Sequence, residues 1–210
     1  MLFTAENTRA VASALGKHFD THGRIPLVCD PVCVSTSGHV LLQSDAVDTI
    51  TDELFPLSQV ITPNQAEAEL LLRQSPLCNK ERSPDYKITS LDDMLVAARD
   101  LLALRSEAVL LKGGHVTVSK EDIRNIKAPE GTTLHVKSAF LLEENTEILQ
   151  KNTKTVVTDL VVDVLCRGDA GNIAYTLYPR PRLQSRSTHG TGCTLSAALV
   201  CALGNGIPSE

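Results

Sequence analysis

The chain has 210 residues, of which 42% are hydrophobic and 21% are charged, as in a globular protein rather than a disordered one. This length fits one domain with a sizeable core. The net charge of −5 gives no electrostatic reason to expect nucleic acid or an anionic membrane as a partner, and no apolar run has the length of a membrane span. The N-terminus lacks the basic-then-apolar pattern of a secretory signal, so we expect a cytoplasmic protein.

Apolar periodicity predicts alternating helices and strands. In chain order these are a helix at 5–19, a strand at 25–29, a helix from Ser44, a strand at 59–61, a helix at 64–72, a helix from Ser90 to 102, a strand at 108–111, a hairpin of 161–165 with 173–177, and a helix at 191–203. Ser44 is predicted to be an N-cap, and Ser90 with Asp93 resembles a capping box. Strands separated by helices predict an α/β fold, a three-layer α/β/α sandwich with a mainly parallel sheet.

The segment from about 116 to 155 is polar and poorly periodic. We expect it to be an inserted, partly disordered surface segment within a single domain that covers residues 1–210. No internal repeat is visible in the rest of the chain.

Three predicted strands end in polar or glycine residues. Asp30 follows the first, Asn64 the second, and Lys112-Gly113-Gly114 the third. Because the carboxyl ends of parallel strands meet at one edge of a sheet, we expect these residues to converge there and to form a ligand site.

The segment Gly190-Thr191-Gly192-Cys193 stands just before the last apolar helix. Glycine lets backbone N–H groups approach an anion closely, and a helix N-terminus adds unpaired donors and a positive dipole end. The segment is therefore a candidate site for a phosphate or for the charge that develops during phosphoryl transfer. The alternative is a glycine-rich loop packed for steric reasons.

Four motifs in this order resemble the hydroxymethylpyrimidine/phosphomethylpyrimidine kinases of the ribokinase-like superfamily. They are VCDPVCVSTSGHVLL (28–42), ITPNQAEAELLL (61–72), AVLLKGGH (108–115) and THGTGCTLSAAL (188–199). The stretch STSGHVLLQSDAV (35–47) is similar to the fungal members in particular. The resemblance spans essentially the whole chain and is weakest across 116–155.

The resemblance implies roles for the helix-start residues. Gly190, Thr191 and Gly192 match the family's anion hole. Cys193 matches the position where this family has cysteine and most ribokinase-like enzymes have an aspartate base. A place at a helix start favours a reactive thiolate.

The resemblance also implies roles at the strand ends. Asp30, Asn64 and Lys112 match positions around the ATP phosphates, Glu67 matches the acidic residue associated with Mg²⁺ and the nucleotide, and Val32 matches a residue close to the pyrimidine. Other roles remain open: Asp30 before proline is also typical of a turn, and Asn64 with Glu67 also fits a capping box.

The implied function is ATP- and Mg²⁺-dependent phosphorylation of 4-amino-5-hydroxymethyl-2-methylpyrimidine and then of its monophosphate, in thiamine biosynthesis. The implied partners are these small molecules, and a homo-oligomer is possible. Two alternatives stay open, namely a pyridoxal kinase and a catalytically inactive fragment that binds nucleotide weakly or acts as an interaction partner.

The chain departs from the family pattern at both ends. Nothing in it resembles the family's first strand and glycine-rich pyrimidine-binding segment, and the family continues beyond the position of residue 210. We therefore expect a sheet that is incomplete at one edge, and little or no turnover by the 210-residue chain alone, because catalysis requires a positioned acceptor.

Overall fold

The computed structural model of the chain describes residues 2, 4–34, 41–75, 78, 82–114, 116–137, 147–150, 153–156, 159–168, 171–183 and 190–206. The helices are α1 (Ala5–His22), α2 (Ser44–Thr49), α3 (Gln65–Gln74), α4 (Leu91–Leu101), α5 (Lys120–Asn125) and α6 (Thr191–Gly204). The strands are β1 (Val28–Cys29), β2 (Val60–Ile61), β3 (Ala108–Leu111), β4 (Thr132–Val136), β5 (Glu147–Gln150), β6 (Thr153–Val156), β7 (Leu160–Arg167) and β8 (Ile173–Pro181). A π-helical turn (Ile50–Leu54) and a 3-10 turn (Phe55–Leu57) extend α2, and a 3-10 turn (Leu102–Leu104) extends α4.

The main sheet has six strands in the order β1-β2-β3-β7-β8-β4. Neighbouring strands are parallel from β1 to β3 and between β8 and β4, whereas β7 is antiparallel to both β3 and β8. Five strands therefore run in one direction and β7 runs in the other, which confirms the mainly parallel sheet and the predicted hairpin. Strands β5 and β6 form a separate antiparallel pair.

The two faces of this sheet are covered by different helices. Side chains alternate between faces along a strand, and in β3 Val109 and Leu111 join the large core cluster with α2, α3 and α4. Ala108 and Leu110 join a smaller cluster with Leu203 of α6 on the opposite face. The α/β/α arrangement is confirmed. In the described residues, no helix has both the length and the apolarity needed to cross a membrane.

Helix starts follow the predicted capping chemistry with one exception. Capping boxes at Asn64 with Glu67 and at Ser90 with Asp93 open α3 and α4. The prediction that Ser44 is an N-cap is wrong by one residue, because Gln43 keeps an extended backbone and the helix already includes Ser44.

The segment at 116–155, which we expected to be partly disordered, contains regular elements among its described residues. Ser119 and Asp122 form a capping box at the start of α5, whose Ile123 is buried. Strand β4 pairs with β8 over five residues and becomes an edge strand of the main sheet. An edge strand with mostly exposed or half-exposed side chains leaves little apolar alternation in the sequence, which explains why the sequence did not predict β4. Whether the segment is an insertion, and whether residues 1–210 are one domain, stay predictions.

Candidate phosphate-binding site

Four of the predicted site residues meet at the carboxyl ends of β1, β2 and β3, and we call Asp30, Asn64, Glu67 and Lys112 the strand-end cluster. Lys112 forms an isolated parallel bridge with Asn64, and its N–H donates to the Pro63 carbonyl at 2.9 Å. The Lys112 Nζ lies 2.9 Å from Asp30 Oδ1, and both side chains are only 13% exposed. The strand ends thus converge as the parallel pairing requires, and they place a largely buried cation at the edge of the sheet.

The N-terminus of α6 lies directly against this cation. Gly190 is the N-cap residue with a φ of 81°, a conformation that favours glycine. A Cβ atom on Gly192 would lie 3.0 Å from Lys112 Nζ and 3.6 Å from Asp30 Oδ2, so the helix backbone reaches the ion pair only because this residue has no side chain. N–H groups in a first helical turn have no partner within the helix, and with Lys112 beside them they form a site suited to an anion.

A buried pair of hydroxyl groups fixes α6 to the sheet, and the sequence did not predict it. Thr62 Oγ1 lies 2.9 Å from Ser196 Oγ, and Thr62 is fully buried. The Ser196 hydroxyl also donates to the Gly192 carbonyl at 3.1 Å. The pair therefore links the end of β2 to the first turn of α6. The only sequence signal was a serine within an otherwise apolar helix.

Glu67 is held by reciprocal bonds with Asn64, the N-cap residue of its own helix. Its Oε2 accepts the N–H of Asn64 at 2.8 Å, while Asn64 Oδ1 accepts the N–H of Glu67 at 3.0 Å. The residue is 2% exposed, and burial raises the pKa of Glu67 above its ordinary value although these bonds and the charge of Lys112 oppose the rise. The capping-box interpretation is confirmed, and the metal role stays a prediction.

Val32 lies in the loop between Asp30 and Cys33. Its φ of 44° is in the left-handed region, which is unusual for a β-branched residue and costs roughly 1–3 kcal/mol. Such strain persists only where the surroundings hold it, and the next residue, Cys33, is fully buried. Contact between Val32 and a pyrimidine stays a prediction.

Cys193 differs from the cysteines near the strand-end cluster. It is the third residue of α6 and is exposed. Burial raises the pKa of Cys29 and of Cys33 to about 12, with nearby carboxylates adding to the effect, so these two thiols stay neutral at physiological pH. Cys193 is therefore the thiol beside this cluster that is open to a ligand and to solvent.

The site offers few side-chain ligands for the predicted magnesium ion. Among the described residues, no group of three or more His, Cys, Asp or Glu side chains could hold a metal. The cluster offers two carboxylates, Asp30 and Glu67. Mg²⁺ is typically held by one or two carboxylates together with substrate phosphates and water. The residues present therefore fit an ion that would arrive with a nucleotide, and the metal role of Glu67 stays a prediction.

We expect Glu67→Gln to remove a pH dependence of stability. Because the folded-state pKa of Glu67 is raised, its contribution is fully present below the unfolded value near 4.5 and is lost as pH rises through the folded pKa. The free energy of unfolding of the wild type minus that of Glu67→Gln should therefore fall as pH rises from about 4.5 through the folded-state pKa of Glu67. Urea denaturation at a series of pH values measures this difference.

Glu69→Gln is the matched control, two residues further along the same helix. Burial raises the pKa of Glu69, but hydrogen bonds from Lys87, Ile88 N–H and Gln65 outweigh it and leave the pKa below its ordinary value. Its stabilising contribution is therefore lost as pH falls, and the corresponding difference should rise with pH. Slopes of the same sign for both variants would contradict this account of Glu67.

The fold is similar to that of solved pyridoxal and phosphomethylpyrimidine kinases. The Bacillus subtilis pyridoxal kinase, solved as an ADP complex, superposes with a TM-score of 0.60 at 23% identity over 98% of this chain and 55% of that one. The phosphomethylpyrimidine kinase from Clostridium difficile gives 0.59 at 24% identity over 100% of this chain and 60% of that one. At these identities the similarity establishes the fold alone.

Sequence comparison identifies the family. The phosphomethylpyrimidine kinase family model matches residues 1–147 and 138–210, so the chain belongs to this family. A hydroxymethylpyrimidine/phosphomethylpyrimidine kinase from Mycobacterium leprae is 30% identical over 181 residues, which are 86% of this chain and 47% of the relative. The chain spans about half the length of the curated relatives it matches.

Proposed function

We propose that the protein transfers the γ-phosphoryl group of ATP to 4-amino-5-hydroxymethyl-2-methylpyrimidine and to its monophosphate. The observation that supports it is the contact of the first turn of α6 with the Lys112–Asp30 pair, which Gly192 permits because it has no side chain. Phosphoryl transfer depends mainly on positioning and on stabilising charge around the phosphate oxygens, which this arrangement offers. Membership of the phosphomethylpyrimidine kinase family supports the choice of acceptor.

In this proposal the strand-end cluster binds the phosphates and Cys193 acts on the acceptor. Lys112 and the N–H groups of Gly192 and Cys193 hold the transferring phosphoryl group, and Mg²⁺ neutralises phosphate charge when it is bound. The hydroxymethyl oxygen attacks phosphorus, its proton passes to the sulfur of Cys193, and ADP leaves. The second acceptor is a phosphate that is already ionised near neutral pH, so it needs no strong base.

The proposed acceptor is tested by measuring ADP release with three candidate acceptors under identical conditions. Hydroxymethylpyrimidine, its monophosphate and pyridoxal are each offered at saturating MgATP, with the enzyme in excess so that a slow single turnover is detected. Faster phosphorylation of both pyrimidines than of pyridoxal supports the proposal. Faster phosphorylation of pyridoxal would contradict it and would favour a pyridoxal kinase instead.

A further inference from the structure

A lone carboxylate in the middle of an apolar strand lies just behind the phosphate-binding site. Asp163 is 5% exposed within β7, whose other central residues are apolar. The last pair of the β3–β7 ladder is Leu111 with Val164, so Asp163 stands one step beyond the end of β3. A buried ion pair often adds no net stability to a fold, so the presence of Asp163 points to a role other than stability.

Asp163 binds the backbone immediately after Lys112. Its Oδ1 accepts the N–H of Gly113 at 2.9 Å. A Cβ on Gly113 would lie 1.7 Å from the Val162 carbonyl oxygen, so the chain passes against β7 at a point where only glycine fits. Since the Lys112 N–H already donates to Pro63, the peptide groups on both sides of Lys112 are fixed.

Arg180 of the neighbouring strand β8 fixes the carboxylate in turn. Its NH1 lies 2.7 Å from Asp163 Oδ2, and its NH2 donates to Oδ1 at 3.1 Å. This two-point geometry sets the plane of the carboxylate, and the arginine is itself half exposed, so it bears a reduced desolvation cost. The chain of contacts therefore runs from Arg180 through Asp163 to the Gly113 amide, and so to the backbone of Lys112.

We propose that Asp163 and Arg180 are positioning residues that direct the Lys112 ammonium group toward Asp30 and the first turn of α6. Neither residue needs to touch the nucleotide. Without Asp163 the Gly113 amide loses its acceptor, the chain after Lys112 is freed, and the ammonium group spends less time beside Gly192. The effect on nucleotide affinity rests on the proposed phosphate site, whereas the effect on Lys112 itself does not.

The first experiment measures Lys112 without any nucleotide. The rate at which acetic anhydride acetylates Lys112 is followed by mass spectrometry in the wild type, Asp163→Ala, Asp163→Asn and Arg180→Met. We expect acetylation about tenfold faster in Asp163→Ala, because a tenfold change corresponds to about the free energy of one hydrogen bond. Asp163→Asn should be intermediate, because its amide oxygen still accepts from Gly113. Unchanged rates in folded variants would overturn the proposal.

Asp100→Asn is the matched control. Asp100 also forms an ion pair with a buried arginine, Arg82, but it lies in the last turn of α4, and its bonding partners, Cys78, Arg82 and Arg99, are outside the strand-end cluster. Its loss should lower stability and leave Lys112 acetylation within twofold of the wild type. An equal acceleration in Asp100→Asn would show a general loosening and would contradict a positioning role.

The second experiment measures MgATP affinity by titration calorimetry in a double-mutant cycle. If Asp163 acts through Lys112, Asp163→Asn should raise Kd about fivefold in the wild-type background and have no further effect in Lys112→Met. Equal effects in both backgrounds would contradict the proposal. Absence of MgATP binding by the wild type would instead remove the proposed function, and the acetylation rates would still decide whether Asp163 positions Lys112.

Discussion

Gly192→Val is expected to raise the Kd for MgATP about a hundredfold, which corresponds to about 2.7 kcal/mol. The first atom of the new side chain would already lie 3.0 Å from Lys112 Nζ and 3.6 Å from Asp30 Oδ2, and two methyl groups would add to this crowding beside the ion pair. The lysine is flexible enough to move, but only by leaving its ion pair and the first turn of α6. Titration calorimetry of folded protein measures the change.

Gly204→Val is the control for this substitution. Gly204 is the last residue of the same helix, and a Cβ there would meet no atom within 4 Å. It introduces the same β-branched residue into α6 in place of a glycine, and valine is the better helix former of the two residues. Its Kd should stay within twofold of the wild type, and a loss as large as that of Gly192→Val would indicate damage to the helix rather than to the phosphate site.

Cys193→Ala is expected to slow phosphorylation of the hydroxymethyl group by about a hundredfold or more in an active form of the protein, since general bases contribute about 10²–10⁴. Phosphorylation of the monophosphate should fall less than tenfold, because that acceptor is already ionised. The measurement is single-turnover ADP release with each acceptor.

Cys201→Ala is the matched control for the cysteine. Cys201 is likewise exposed on α6, two turns further along the helix from Cys193, and it should leave both rates unchanged. Equal losses with both acceptors in Cys193→Ala, with substrate affinities intact, would show that the thiol is not a selective base.

Much of the fold could be predicted because β1, β2 and β3 are short, apolar and followed by polar residues. The segment 108–111 is apolar and buried at every position, and Lys112 follows it directly. Both the strand and the polar residue at its end could therefore be predicted. The same logic failed for β4, where an edge strand with one partly buried face shows little alternation. It also failed by one residue at Ser44, where α2 begins without a side-chain cap.

At the strand ends, the sequence could predict only those contacts that follow from parallel strand pairing. Parallel pairing implied that Asp30 and Lys112, 82 positions apart, would meet, and they form an ion pair. The Thr62–Ser196 bond and the Gly113–Asp163 bond depend on how α6 and β7 pack against the sheet. No residue spacing in the sequence encodes those distances, so both remained hidden until the tertiary structure was known.

The most direct test of the account is a crystal structure of the chain with a non-hydrolysable ATP analogue and Mg²⁺. We expect oxygens of the γ-phosphate within about 2.7–3.2 Å of Lys112 Nζ and of the N–H groups of Gly192 and Cys193. We also expect Mg²⁺ bound by phosphate oxygens and water on the side of Asp30 and Glu67. A nucleotide bound elsewhere on the chain, with the Lys112–Asp30 pair undisturbed and no phosphate beside α6, would contradict it.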